Sequence, residues 1–241
     1  MPQTLLGRTI ERIAKKGLPV FLACIVMILL TVPAWGGDKE KDEETFQKAG
    51  AVLQEMLNSN NVPSDLLAKA KCVMVLPNVK KFGIGIGGSG GRGPMSCRAG
   101  EHFSGKWSAP AMFTVSGVSA GLQVGGSSSD FVLLIMSDKG LDSILNGKTK
   151  LGSDATAAAG PSGATASSVG ESDVLTYGKA KGLFAGVSLG SATLDQDNDA
   201  NKRLYGKAMS AKEIVRGSVP TPAGGQALVS LLDSKVAKHG K

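Results

Sequence analysis

From Phe82 to Gly93 the chain reads Phe-Gly-Ile-Gly-Ile-Gly-Gly-Ser-Gly-Gly-Arg-Gly, and this tract limits the possible folds more than any other feature. Glycine weakens helices, and inside a strand it marks a bulge, a bend or the close approach of another backbone. The chain holds 33 glycines in 241 residues, roughly twice the usual ~7% share, without a collagen period. Hydrophobic residues at 42% and charged residues at 20% describe a globular chain and exclude a disordered one. Such a body is rich in turns and tightly approached strands, and its length suits one sizeable core or two small ones.

Around that tract the periodicities separate cleanly. Phe46, Ala49, Val52, Leu53, Met56 and Leu57 fall on one helical face, which predicts a helix from Glu43 to Leu57 ended by the polar run 58–61. A short helix capped by Ser64 follows. Cys72–Leu76 reads as a buried strand stopped by Pro77, and Phe82–Ile86 as a strand that dissolves into a glycine loop over 87–93. Ala111–Gly125 reads as a strand pair or one long bent strand, and Phe131–Met136 is the strongest strand of all. Asp138–Ile144 is a short helix closed by Gly147. Val174–Tyr177 and Leu183–Leu189 read as two further strands. A polar turn at 195–201, a helical stretch Lys202–Ile214 and a closing amphipathic helix Gln226–Val236 complete the chain. Helices at the ends and glycine-bearing strands between them predict an α+β fold. Its sheet is expected to be curved, mostly antiparallel and barrel- or sandwich-like, with the terminal helices packed on it.

The first 34 residues form a separate unit. Arg8, Arg12, Lys15 and Lys16 precede an uncharged run from Gly17 to Gly37 whose centre, Leu18–Val32, is rich in Leu, Ile and Val. Basic, then apolar, then small residues around Val32-Pro33-Ala34 is the order of a secretory signal peptide; an uncleaved anchor is the alternative. The expected organisation is therefore a signal peptide over 1–34, a charged linker over 35–44, a single domain over 45–236 and a tail over 237–241. Export, to a periplasm or cell envelope, makes the surroundings oxidising. Cys72 and Cys97, on segments read as neighbouring strands, then have two fates open: a disulfide, or two buried free thiols. Of the formal +7, the leader holds +3 and the body +4, too weak a balance to argue for a nucleic-acid partner.

Several motifs match as strings but lack their context. Gly83-x-Gly85-x-x-Gly88 needs a helix directly after it to receive a pyrophosphate, and Ser89–Pro94 is no helix. Ser89 and Ser119 sit in G-x-S-x-G pentapeptides, yet neither precedes a helical pattern, and His102 is the base available to a serine hydrolase in the body. Cys72, Cys97 and His102 lack the paired spacing of a zinc site. Asp195, Asp197, Asp199 and Asn201 alternate as in a calcium loop, but Ala200 replaces its glycine and Gly206 its bidentate glutamate. No metal, cofactor or catalytic residue is expected. The cations Lys69, Lys71, Lys80, Lys81, Arg92 and Arg98 recur across the first strands and the glycine tract, and the residues leave two readings open: contacts to anionic lipid headgroups, or scattered solubilising charge.

One ordered set of segments resembles a known family. It runs from Lys69-Ala-Lys71 through the Gly83–Gly91 tract, Trp107-Ser-Ala-Pro110, Gly117–Gly125 and Leu133–Met136. It continues with Lys150–Asp154, Ala159-Gly-Pro161, Tyr177–Gly186, Asp197-Asn-Asp199 and Leu204-Tyr-Gly206. Together these are similar to the SYLF lipid-binding domain in its bacterial exported form, over roughly Thr45–Leu232. The resemblance implies a non-enzymatic module that binds phospholipid membranes. Eukaryotic members of that family prefer phosphoinositides, and some engage actin. Those members carry a basic amphipathic helix ahead of the domain, whereas the matching segment here, Asp38–Phe46, is acidic. The leading expectation is thus an envelope-associated module on an anionic phospholipid surface, held by the six cations. A scaffolding protein that grips a protein partner along a sheet edge is the alternative, and a hydrolase using Ser119 or Ser89 is a third.

Overall fold

The computed structural model describes residues 36–84, 86–100, 103, 105–120, 125–151, 157–159, 173–180 and 192–236. The leader, the strand expected over 183–189 and the tail lie outside them. Helix α1 (Gly36–Asn58) and helix α2 (Ser64–Lys69) lead into strands β1 (Cys72–Ile84), β2 (Ile86–Cys97), β3 (Ala111–Ala120) and β4 (Gly125–Ile135). Helix α3 (Asp138–Leu145) and the strands β5 (Thr149–Lys150), β6 (Ala157–Ala159), β7 (Val174–Ala180) and β8 (Thr193–Gln196) follow. Helices α4 (Asn198–Tyr205), α5 (Ala211–Arg216) and α6 (Gln226–Val236) end the described chain. The strands form one sheet in the order β5-β8-β3-β2-β1-β4-β7-β6. Every neighbouring pair is antiparallel except β6–β7. The sheet curls into a half-barrel with helices packed on it, so the α+β expectation holds.

The first part of β1, residues 72–76, reads as an unbroken apolar run because both of its faces are covered there. Cys72, Met74, Leu76 and Val79 enter one core with Leu141 and Ile144 of α3 and Ile214 and Val215 of α5. Val73 and Val75 point the other way, into a core with Leu53 and Met56 of α1, Leu67 of α2 and Leu228 and Leu232 of α6. The segment read as a glycine loop is instead strand β2, paired with β3 from Ile86↔Ala120 to Met95↔Ala111. Its glycines are there for contact. A Cβ on Gly93 would overlap the Val75 carbonyl oxygen, and one on Gly91 would come within 2.9 Å of Val79 Cγ2. The β1–β2 register shifts between Met74 and Lys80, and this irregularity crowds β2 at those two positions.

Two further expectations are corrected. The charged linker is the first part of α1, supported by Asp38–Lys41 (3.2 Å) and Glu44–Lys48 (2.8 Å) pairs across single turns. The helix expected over 202–214 is two helices. Asp197 caps α4 by accepting from the Ala200 N–H (3.0 Å), Gly206 ends it at φ 72°, and Ser210 with Glu213 forms a capping box that starts α5. The cysteine question resolves as well: Cys72 and Cys97 face each other across β1 and β2 and form a disulfide.

The bond closes a loop of 25 residues, for which restriction of the unfolded chain contributes about 3 kcal/mol. Replacing both cysteines by alanine should lower the urea midpoint accordingly, and an unchanged midpoint would show that the bond is energetically idle. Gly93→Ala should destabilise by ~3 kcal/mol or more through overpacking. Gly90→Ala, whose Cβ would meet nothing closer than 3.9 Å, should stay within ~0.5 kcal/mol. Equal melting temperatures for the two variants would contradict the close-approach account.

Candidate functional site

The six expected cations do not gather in one place. Lys69 is exposed at the end of α2, and Lys71 and Arg98 lie beside it at the disulfide end of the sheet. Lys71 pairs with Asp138 and lies 4.9 Å from the Phe103 ring centre. Arg98 lies over the Trp107 ring at 5.6 Å and donates to the Phe103 carbonyl at 3.3 Å. Lys80 and Lys81 are near the other end of β1, roughly 30 Å away at ~3.3 Å per strand residue. Arg92 lies between the two groups, its side chain 36% exposed and paired with Asp42.

The end of the sheet around Lys80 presents an apolar surface that composition alone does not disclose. Phe82 is 66% exposed and Val118 is 79% exposed, the two large apolar side chains so placed among the described residues. Phe82 is paired with Gly126 on β4 and Gly88 on β2, and Gly88 with Val118 on β3, so all four share one face. The next row, Ser128, Lys80, Gly90 and Ser116, shares it too. Neither 79–91 nor 115–129 contains an acidic residue. The signal available in the sequence was the period-two spacing of Lys80 and Phe82; it showed that they share a face but not that the face is uncovered.

A second feature is a cleft of about 360 Å³ between the end of α4 and the segment 218–222. Leu204, Tyr205, Met209, Val219, Pro220 and Pro222 line it, with Lys207 at its margin. The Tyr205 hydroxyl donates to the Pro110 carbonyl at 2.7 Å. Burial, and then the negative charge of Glu43, raise its pKa well above the usual phenol range. Burial followed by Asp65 pushes the Tyr177 phenol up to about 12. Glu213 is lowered, first by the backbone and side-chain hydrogen bonds from Ser210. These shifts follow from packing and capping. Ser89 lies within β2, which continues as strand to Cys97, and so is not on a nucleophile elbow; His102 lies outside the described residues. The calcium-like run is structural: Asp197 caps α4, and buried Asn201 accepts from the Met112 N–H (2.7 Å) and donates to its carbonyl (3.3 Å).

Arg92 belongs to an ion knot around the buried carboxylate of Asp42. Asp42 of α1, its side chain 1% exposed, is paired with Arg92 and accepts from Arg203 Nε of α4 at 2.8 Å. Arg92 Nη1 also lies 3.9 Å from Asp197. One carboxylate therefore ties α1, the sheet and α4 together. Asp42→Asn leaves two guanidinium groups facing each other, which should lower stability by about 3 kcal/mol, while Arg203→Gln, whose side chain is 34% exposed, should cost less. Urea titration of the two variants checks the order; an Asp42→Asn midpoint equal to the parent's would contradict it.

Residues 116–235 match the family model described as Ysc84, Las17-binding protein actin regulator. The SH3 domain-containing YSC84-like protein 1 of Rattus norvegicus is 33% identical over 205 residues, 80% of this chain and 59% of its own length. Protein YSC84 of Saccharomyces cerevisiae is 33% identical over 203 residues, 78% of this chain and 42% of its own. LAS seventeen-binding protein 3 of the same species is 32% identical over 207 residues, 80% and 44% respectively. The chain thus spans about half the length of these curated relatives. No solved structure matches. With the ordered motifs of the sequence and this shared identity over four-fifths of its length, the chain belongs to the Ysc84/SYLF family.

Proposed function

We propose that this protein is a non-enzymatic binding module whose principal partner is another protein, seated in the cleft beside α4. The observation that carries this reading is the cleft itself, lined by Tyr205, Met209, Val219, Pro220 and Pro222. Aromatic residues and methionine are the types enriched where proteins meet, and methionine adapts its shape to a partner. The relatives named as Las17-binding support a protein partner of this kind, and the matched region 116–235 includes the whole cleft. The sheet-edge mode receives less support, since the edge strands β5 and β6 of the described sheet have two and three residues.

A second reading, contact with an anionic phospholipid surface of the cell envelope, is favoured by a different observation. The uncovered sheet end joins Lys80 to Phe82 and Val118 without a single acidic residue in the segments that build it. Apolar side chains with neighbouring cations and no opposing carboxylate suit an anionic interface. Of the six cations first expected there, Lys80 shares the face of Phe82 and Val118, whereas Lys81 faces the other side of the sheet.

The two readings separate experimentally. Immobilised protein should retain one specific cellular protein, and the doubly substituted Lys207→Glu/Thr221→Glu form should retain at least ~10-fold less, a loss of about 1.4 kcal/mol. Equal retention by both forms would contradict the cleft as the docking site. Co-sedimentation with phosphatidylglycerol vesicles that weakens with salt and with Lys80→Glu, but not with phosphatidylcholine vesicles, would support the second reading; indifference to lipid charge would contradict it.

A further inference from the structure

Phe82 and Val118 are separated by one glycine row. Their α-carbons are two strand spacings apart, roughly 10 Å, with Gly88 between them and Gly126 on the far side of Phe82. The ring of Phe82 does not stand upright from the sheet. It lies across Gly88, whose absent Cβ would come within 2.9 Å of the ring's Cζ and 3.3 Å of Cε2. The strand tip therefore exposes a flattened aromatic ring beside a valine, on a floor of glycine. Lys80 is two residues back along β1 on the same face.

This patch offers little to a protein partner. The row carrying Phe82, with Gly126, Gly88 and Val118, has no polar side chain to fix a partner's orientation. A protein interface of ordinary size combines an apolar centre with about one hydrogen bond per 100–200 Å². An anionic bilayer requires less: apolar groups that reach the acyl boundary, and a cation at headgroup level behind them. Lys80 meets the second condition, and the lack of acidic residues in 79–91 and 115–129 removes the repulsion that would oppose approach.

We propose that Phe82 and Val118 form a wedge that enters the headgroup layer of an anionic bilayer, and that Gly88 is the positioning residue that keeps the Phe82 ring in its tilted pose. The proposal rests on the membrane reading given above and names the side chains that penetrate. Any residue larger than glycine at 88 lifts the ring and changes how it meets the lipid, while the sheet beneath is unaffected because the neighbour displaced is the free end of a side chain.

The test uses the full chain with Phe82→Trp, Val118→Trp or Ser127→Trp, mixed with phosphatidylglycerol vesicles that contain brominated acyl chains. Ser127 is exposed and pairs with Lys81, so it faces the other side of the sheet. After subtraction of the parent's own tryptophan signal, positions 82 and 118 should shift to the blue and be quenched, and position 127 should do neither. Phe82→Ala should weaken vesicle partitioning by ~10-fold. Gly88→Ala should weaken it less, and the double variant should be no worse than Phe82→Ala alone, since Gly88 acts only through the ring. Near-ultraviolet circular dichroism identical to the parent's confirms that the variants fold. Vesicle binding without quenching at 82 and 118 would overturn the wedge and leave the membrane reading standing. An additive Gly88 effect would overturn the positioning role. Failure of the parent to bind these vesicles at all would overturn both the membrane reading and this proposal, leaving the cleft and its protein partner.

Discussion

The approach of β2 to β1 at Gly93 governs the rest of the structure. There the α-carbon of one strand lies against the Val75 carbonyl of the other, closer than any side chain permits. These two strands are the middle of the sheet, and both cores are built on the two faces of β1. The shift in register between Met74 and Lys80 gives the sheet its local bend, and the glycines opposite it on β2 are what let that bend form without separating the strands. The disulfide fixes one end of this pair, and the Ile84↔Ile86 pairing lies at the other.

Along the strands the sheet divides into two halves of different character. Near the disulfide, Val73, Val75, Val132 and Leu134 are sealed beneath α1, α2 and α6, and Asp42 locks α1 to Arg92 and Arg203. Past Arg92 the helices no longer cover that face, side chains shrink to glycine and serine, and Phe82 and Val118 stand in solvent. Asp42 is the fully buried member of this knot, and leaving it without its arginines would cost more than the intact knot adds to net stability. The knot's consequence is positional: it marks where the covered half ends and the exposed half begins.

Much of this arrangement was legible in the residues. Helical spacing placed α1 and α6, the apolar run placed β1 and β4, and the position of the two cysteines on adjoining strands allowed their pairing. Strand β2 was not legible, because glycine has low intrinsic strand preference and its crowded positions are set by neighbours 12 and 18 residues away, Val79 against Gly91 and Val75 against Gly93. The same limit hid the fate of Arg92: its partner Asp42 is 50 positions earlier, and the third member, Arg203, is 161 beyond that. The acidic segment 38–44 looked like a linker for the same reason. Cation count predicted a basic face, whereas the fold distributes those cations between internal pairs and two distant ends of the sheet. The cleft beside α4 had no sequence signal, since its walls come from helix, loop and proline segment together.

The central claim is that a glycine-built sheet is half core and half contact surface. Native-state amide hydrogen exchange, with and without phosphatidylglycerol vesicles, tests it most directly. The account predicts that 73–75 and 132–134 exchange only through global unfolding in both conditions, while 80–82 and 87–90 exchange faster alone and slow when the vesicles are added. Slowing spread evenly over the molecule, or confined to the disulfide end around Lys69, Lys71 and Arg98, would contradict it.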